Sequence, residues 1–418
     1  MTKEDFNEGL LGFLDASPTP FHTTANISMM LKNAGFIKLD ETKKWSLKAG
    51  EKYYVTRDDS SVIAFTYPKD TISYTFIGTH TDSPNIKLKH NPTIKENGVV
   101  KFSIESYGGM LLNSWFDRDL SIAGRVSFLN GENQLEHTLI DVKKSLAVIP
   151  SLAIHLDDKA NKDKTINKQT DMMPILTTNE DFEFDDFLRW QLSKHTNSEV
   201  KEIYAHELSF YDTQKASFVG LRDDFITSAR LDNLLSCYVG LLTICSVNSS
   251  KPMFLVANNH EEIGSQTTSG ADGSFLENVL HRVFSDYEEF VQVMRSSYLV
   301  STDNAHAVHP NFSTKHDSNH KPFINKGVVI KTNANQRYAT NSKTVAKFLF
   351  AVSSAKQDVQ HFVNRADMGC GSTIGPITSA KLGIDTIDVG LPTYAMHSIR
   401  EVCGSEDPFS LYKILLHL

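Results

Sequence analysis

Thr71-Ile-Ser-Tyr-Thr-Phe-Ile-Gly78, followed at once by Thr79-His80-Thr81-Asp82-Ser83-Pro84, is the stretch on which the fold turns. β-Branched and aromatic residues run together without a charge and stop at a glycine. That is the pattern of a strand buried on both faces. The same form recurs at Met253–Ala257, Tyr298–Ser301 and Ile384–Gly390, each time followed by a polar loop. Helical periodicity fills the intervals, at Asp232–Val247, Ser274–Phe284 and Ser342–Ala355. Strands alternating with helices predict an α/β fold: a mostly parallel sheet with helices on both faces. Residues 1 to about 45 read as two further helices, joined by Pro18 and Pro20.

Between about Thr93 and Asp223 the texture changes. Strand-like alternation in VVKFSIESYG and IAGRVSFLNG is followed by Asp157–Thr170, a polar stretch rich in Asp, Lys and Asn that predicts a mobile loop. An inserted, β-rich second domain is expected at 93–228, with the catalytic domain at 1–92 and 229–418.

At 418 residues the chain can bury a full catalytic core and a smaller second one. A net charge of -8 without a long basic run argues against nucleic acid or an anionic membrane as partner. The most apolar candidate span, Leu231–Val247, contains Asp232, Asn233 and Ser236 and reads as a core helix. The opening MTKEDFNEGLLGFLDASPTP is acidic where a secretion signal would be basic, and the four cysteines show no CxxC spacing. Both point to reduced thiols in a cytoplasmic protein.

The polar groups gather where strands end, which in an open α/β sheet is where ligands bind. His80 and Asp82 follow the first strand, Glu261 and Glu262 the second, Asp303 the third and His397 the fourth; Asp232 opens a helix. Singly, each has a bland reading. Asp232 could be a helix N-cap, His397 a structural histidine, Glu261-Glu262 a solvated surface pair. Together, five carboxylates in one cleft would repel one another unless cations neutralise them. Imidazole with carboxylate suits zinc first, with cobalt or manganese as alternatives. Two such ions per chain, bridged by one carboxylate, would account for the set; aminopeptidases are a known example of two-metal sites. The H-E-x-x-H zinc motif is absent, since Leu-Ser-Phe follows His206-Glu207.

At this point the chain resembles the aspartyl aminopeptidase family of dinuclear zinc metallopeptidases, from the first helix nearly to the end. The motifs that carry the resemblance include FIGTHTDSP at 76–84, SWFDRDL at 114–120, LAIHL at 152–156, SARLDNL at 228–234 and NHEEIGS at 259–265. TDNAHAVHPNF at 302–312, KHDSNHKP at 315–322, VVIKTNANQRYA at 328–339 and AMHSIRE at 395–401 complete the set.

The resemblance implies that His80 and Asp303 bind one metal, Glu262 and His397 the other, and that Asp232 bridges them. It makes Glu261 the general base for the attacking water and Asp82 the residue that fixes the tautomer of His80. It implies an inserted dimerisation domain, a dodecamer built from dimers, and peptide substrates with an acidic first residue. Lys331 resembles the residue facing that acidic side chain, and His155 one that reaches a neighbouring subunit's active site. His306, His309 and Met396 match positions on the substrate side. The bland readings are a surface lysine for Lys331 and a plain loop residue for His155. The Gly-rich DMGCGSTIGP at 367–376 lacks the G-K-[ST] of a phosphate loop and reads as a backbone turn near the substrate. Two rivals remain, a metal-dependent deacylase or carboxypeptidase of similar fold and a scaffold with lapsed catalysis. The intact ligand set weighs against the second.

Overall fold

The computed structural model describes residues 1–69 and 71–418. It divides into two compact units. The first comprises Met1–Ser83, Ala216–Met396 and Glu401–Leu418, and the second Pro84–Lys215 with His397–Arg400.

In the first unit a nine-stranded sheet, counted among the described residues, has the order Ile37–Lys38, Glu51–Arg57, Ser61–Tyr67, Met253–Asn258, Thr75–His80, Tyr298–Thr302, Asp385–Gly390, Val328–Thr332, Val359–Val363. The middle four, Met253–Asn258 to Asp385–Gly390, are mutually parallel. Antiparallel neighbours, Ser61–Tyr67 and Val328–Thr332, flank them. The sheet is therefore mixed, parallel at its centre.

Consecutive residues of the central strands feed two separate cores. Phe76, Phe254 and Leu299 pack with Phe275, Val279, Val293 and Met294 of the helices Phe275–Val283 and Tyr287–Ser296. Ile77, Leu255 and Val300 pack with Leu10, Ile27, Leu235 and Phe348 of the helices Lys3–Ala16, Pro20–Asn33, Leu231–Ser246 and Ser342–Ala355. This is why those runs are apolar throughout: a strand covered by helices on both faces has no side that can be polar. The rings of Phe76 and Phe254 stack at 4.7 Å, and truncating such a buried ring to Ala costs about 3–5 kcal/mol.

The second unit holds a six-stranded sheet, again among the described residues, ordered Leu135–Asp141, Leu120–Asn130, Val200–Asp212, Asn85–Glu96, Val99–Tyr107, Ile175–Thr177. Every neighbouring pair is antiparallel. Its core of Ile86, Phe102, Ile122, Val126, Phe128 and Phe210 takes in Leu188 and Leu192 of the helix Phe184–His195. Residues 157–170 form turns without helix or strand.

The unit limits differ from the expected 93–228. Residues 85–92 lie within the strand Asn85–Glu96, whose partner is Val99–Tyr107. Phe225–Ser228 pairs instead with Glu401–Gly404 of the first unit. Residues 397–400 join the second unit through Leu111 N–H donating to His397 O at 2.9 Å and Ile399 N–H to Ser114 Oγ at 3.0 Å. Strand pairing, which composition does not reveal, sets these limits.

Candidate metal centre

Parallel pairing brings the polar loops to one place. The register sets Asn258 opposite His80 and Ser301 opposite Gly78, so the residues following each strand emerge side by side. After Met253–Asn258 the chain turns at His260, φ 62°, into the short 3-10 turn Glu261–Ile263. Asp82 holds that turn: its two carboxylate oxygens accept the backbone N–H groups of Glu261 and Glu262, each at 3.2 Å. Asp232 enters at the start of Leu231–Ser246. Its N–H donates to Glu401 Oε2 at 2.9 Å, and its carbonyl accepts Ser83 Oγ–H at 2.5 Å.

His80 is fully enclosed. Its Nδ1 lies 3.1 Å from the main-chain oxygen of Asp82 and 3.5 Å from that residue's Oδ1. A carbonyl can only accept, so Nδ1 carries a proton and Nε2 is the nitrogen left to face a metal. Asp82 thus meets His80 through both its backbone and its carboxylate, and the backbone contact is the shorter.

Nε2 lies 3.4 Å from Asp232 Oδ1 and 3.5 Å from Asp303 Oδ1. A tetrahedral zinc with bonds of about 2.0–2.2 Å spaces its ligand atoms about 3.3–3.6 Å apart. Both distances from Nε2 match such an edge. His80, Asp232 and Asp303 offer ligand atoms within 4.8 Å of one another, and so do His80, Glu261 and Glu262. The electrostatics ask for a cation. Burial alone would depress His80, but Asp232, Asp303, Asp82 and Glu261 outweigh it and hold the imidazole well above its usual range. Burial first, then the neighbouring carboxylates Asp303, Asp232 and Asp82, push Glu261 up to about 7, with His80 opposing.

The other expected residues fall as follows. His397, in the second unit, has Nδ1 2.9 Å from the carbonyl of Gly109, which leaves Nε2 as the nitrogen with a lone pair. Lys331 is 2 % exposed at the end of a buried strand. It is not a surface lysine: its Nζ donates to the carbonyls of Asp303 at 3.0 Å and Asn304 at 3.2 Å. His306 follows Asp303 in the short strand Ala305–His306, and its carbonyl is 3.2 Å from His316 Nε2. The His309 ring lies 4.9 Å from Phe312 and 5.9 Å from Tyr394. Met396 is half-buried, and His155 is exposed between exposed Ile154 and Leu156 in the second unit.

Two contributors were not foreseen. Glu401, 1 % exposed, fixes the backbone of Asp232. Gly390 lets the chain pass so close to Asp303 that an added Cβ would lie 2.0 Å from its carbonyl oxygen. Neither has a sequence signal beyond its place in a strand or motif.

A buried histidine, aspartates and glutamates at the carboxyl ends of parallel strands define an α/β metallohydrolase. Comparison with known proteins narrows this. The profile of the aminopeptidase I zinc metalloprotease (M18) family matches residues 13–417. M18 family aminopeptidase 2 of Pseudomonas fluorescens (strain Pf0-1) is 49 % identical over 419 aligned residues, spanning 99 % of this chain and 97 % of the relative. Among solved structures, one of an Ape4 and Nbr1 complex matches with TM-score 0.95 at 36 % identity, covering 99 % of this chain and 85 % of that one. The mApe1 dodecamer of S. cerevisiae matches with TM-score 0.86 at 27 % identity, covering 99 % and 96 %. The chain belongs to the M18 family of zinc aminopeptidases. It is thus a metal-dependent hydrolase that acts on peptides.

Proposed function

We propose that this aminopeptidase works with two zinc ions per chain and prefers peptides whose first residue is Asp or Glu. The observation that carries the two-ion reading is the crowding of carboxylates around His80, Asp232 and Asp303 in one group and Glu261 and Glu262 in another, more donors than one tetrahedral ion takes. In this reading His80 and Asp303 would hold one ion, Glu262 and His397 the other, and Asp232 would serve both. Bound zinc supplies a Lewis acid that polarises the scissile carbonyl and acidifies water. Glu261, with its raised proton affinity, takes the proton from the attacking water and returns it to the leaving amine. Asp82 keeps Glu261 aimed by holding its backbone.

The acidic preference follows the family resemblance, with Lys331 as the cation on the side of the first residue and His306, His309 and Met396 shaping that side. A charge-assisted hydrogen bond in a desolvated pocket contributes about 1.5–3 kcal/mol. At about 1.4 kcal/mol per tenfold, Asp- and Glu-peptides are cleaved roughly ten- to a hundredfold faster than Leu- or Ala-peptides. A wild type that prefers Leu sinks the acidic preference and leaves the aminopeptidase intact. Metal analysis after mild chelation and zinc titration tests the two-ion reading: two ions per chain are expected, and saturation at one would end it.

The assembly we propose is a homo-oligomer, a dodecamer built from dimers through the second unit, in line with the dodecameric relative. His155 then serves a neighbouring chain. Cytoplasmic residence fits four free cysteines, and among the described residues no helix is long and apolar enough to cross a membrane.

A further inference from the structure

Lys331 is among the largest fully enclosed side chains of the protein, and its ammonium is already engaged. Two of its contacts are main-chain carbonyls, Asp303 O at 3.0 Å and Asn304 O at 3.2 Å. The third is Asp303 Oδ2 at 3.5 Å, while the other oxygen of the same carboxylate, Oδ1, faces His80 Nε2. The ring of Tyr338 covers the ammonium at 5.1 Å. One residue and its successor thus supply two hydrogen-bond acceptors and an ion pair, which leaves the ammonium one proton beyond its two hydrogen bonds.

We propose that Lys331 is a positioning residue for Asp303: it clamps the chain at 303–304 and turns one carboxylate oxygen away, so that the other points at the metal centre. The inference rests on the proposed zinc site and adds a duty distinct from recognising an acidic side chain. The physical case is about alternatives. Asp303 leaves its strand with its N–H donated to Val389 O at 3.0 Å, so its amide is fixed, but its carbonyl has passed beyond the regular ladder. Gly390 keeps that carbonyl closely packed on one side, and Lys331 satisfies it. Without the ammonium, two buried carbonyls lose a donor, and the carboxylate can rotate either oxygen towards His80. Partners that orient a metal ligand in this way typically change affinity or activity by about 10–100-fold when removed.

The test uses the full-length protein with Lys331→Met, which keeps the bulk and removes every donor, and Lys331→Gln, which is neutral but still donates. Zinc retention is read by competition with a chromophoric chelator, and kcat and KM are measured on Ala-first and Asp-first peptides. For Lys331→Met the clamp predicts at least about tenfold weaker zinc retention and a roughly 10–100-fold fall in kcat on the Ala-first peptide, KM moving little. Lys331→Gln should recover part of the zinc retention. If Lys331→Met does not fold, Lys331→Gln carries the same two readings, with a smaller deficit expected. Wild-type zinc retention and wild-type kcat on the Ala-first peptide in the folded variants overturn the clamp. The Asp-to-Ala rate ratio belongs to the proposed selectivity, and its loss alone would assign Lys331 to that duty only. A wild type that binds no zinc would remove the centre itself and the clamp with it.

Discussion

At the middle of the nine-stranded sheet four neighbouring strands run parallel, whereas in the six-stranded sheet every neighbouring pair is antiparallel. Parallel neighbours end on the same side. Three of them therefore deliver His80, Glu261–Glu262 and Asp303 to one place, although these residues lie far apart in the chain. Antiparallel neighbours end on alternate sides, so a sheet of that kind scatters whatever follows its strands. His155, which with His397 carries the second unit's expected part in catalysis, lies outside any strand, exposed among exposed Leu152, Ile154 and Leu156. One region gathers most of the proposed site from its own strand ends. The other adds His397 and, on the proposed assembly, offers an exposed apolar loop to a second chain.

The sharpest way to break this contrast is at Glu261. Glu261→Gln keeps the shape of the turn and removes the proton carrier. We expect kcat to fall about 10²–10⁴-fold, with zinc content unchanged by metal analysis. Near-normal turnover would mean that the strand ends hold metal but not the base. The pH profile gives a second reading of the same residue. If Glu261 is the base, its deprotonated form is the active one, so kcat/KM should rise with pH through its pKa. Burial and neighbouring carboxylates set that pKa at about 7 in the metal-free chain. Bound cations favour the carboxylate, so the acid limb of the loaded enzyme should lie below about 7. Residual activity of Glu261→Gln should lack this limb; a limb that persists belongs to another group.

A smaller effect, about tenfold in kcat, is expected for His155→Ala, of the size seen when one supporting partner of a site is lost. Mixing separates a contribution from a neighbour from a local one. Glu261→Gln chains still carry His155, and His155→Ala chains still carry Glu261. Dissociated and reassembled together, the two should give more activity than their sum. Strict additivity would confine His155 to its own chain and dissolve the contrast between the regions.

The two regions were also unequally legible. Thr75–His80, Met253–Asn258, Tyr298–Thr302 and Asp385–Gly390 match runs whose apolar continuity has one physical cause, cover on both faces. Their direction is not written in those runs. The antiparallel neighbours Ser61–Tyr67 and Val328–Thr332 look as apolar as the parallel ones. The convergence of carboxylates with His80 was legible because four acids follow strand ends and a fifth opens a helix, a set that calls for a cation. Lys331 was not: its burial against two carbonyls depends on where Val328–Thr332 pairs, and a lysine at a strand end reads as surface. The membership of 397–400 in the second unit likewise depends on hydrogen bonds to Leu111 and Ser114 that no local pattern announces.

The smallest effect probes how the exposed loop of the second unit is held. Asp117, in SWFDRDL, accepts Ser151 N–H at 2.8 Å and Ser151 Oγ–H at 2.6 Å, just before LAIHL begins. These two bonds, the hydroxyl's first, hold its carboxyl below the usual range. A depressed pKa means stability present above the unfolded value of about 3.9 and lost as pH falls through the folded one. Because Asp117 is exposed, solvent keeps the contribution small, about 0–1 kcal/mol. Its backbone sits at φ 59°, which Asn tolerates and Ala does not. Asp117→Asn preserves both the conformation and an acceptor for Ser151 N–H, and its amide can donate to Ser151 Oγ; wild-type melting and turnover are expected. Asp117→Ala loses the tether and strains the turn. If LAIHL must be held to reach another chain, turnover should fall roughly fivefold, the equivalent of about 1 kcal/mol, while zinc content stays unchanged. A loss of melting temperature without any loss of turnover would show that the loop finds its place without this tether. The neighbouring chain, rather than Asp117, would then be what orders it.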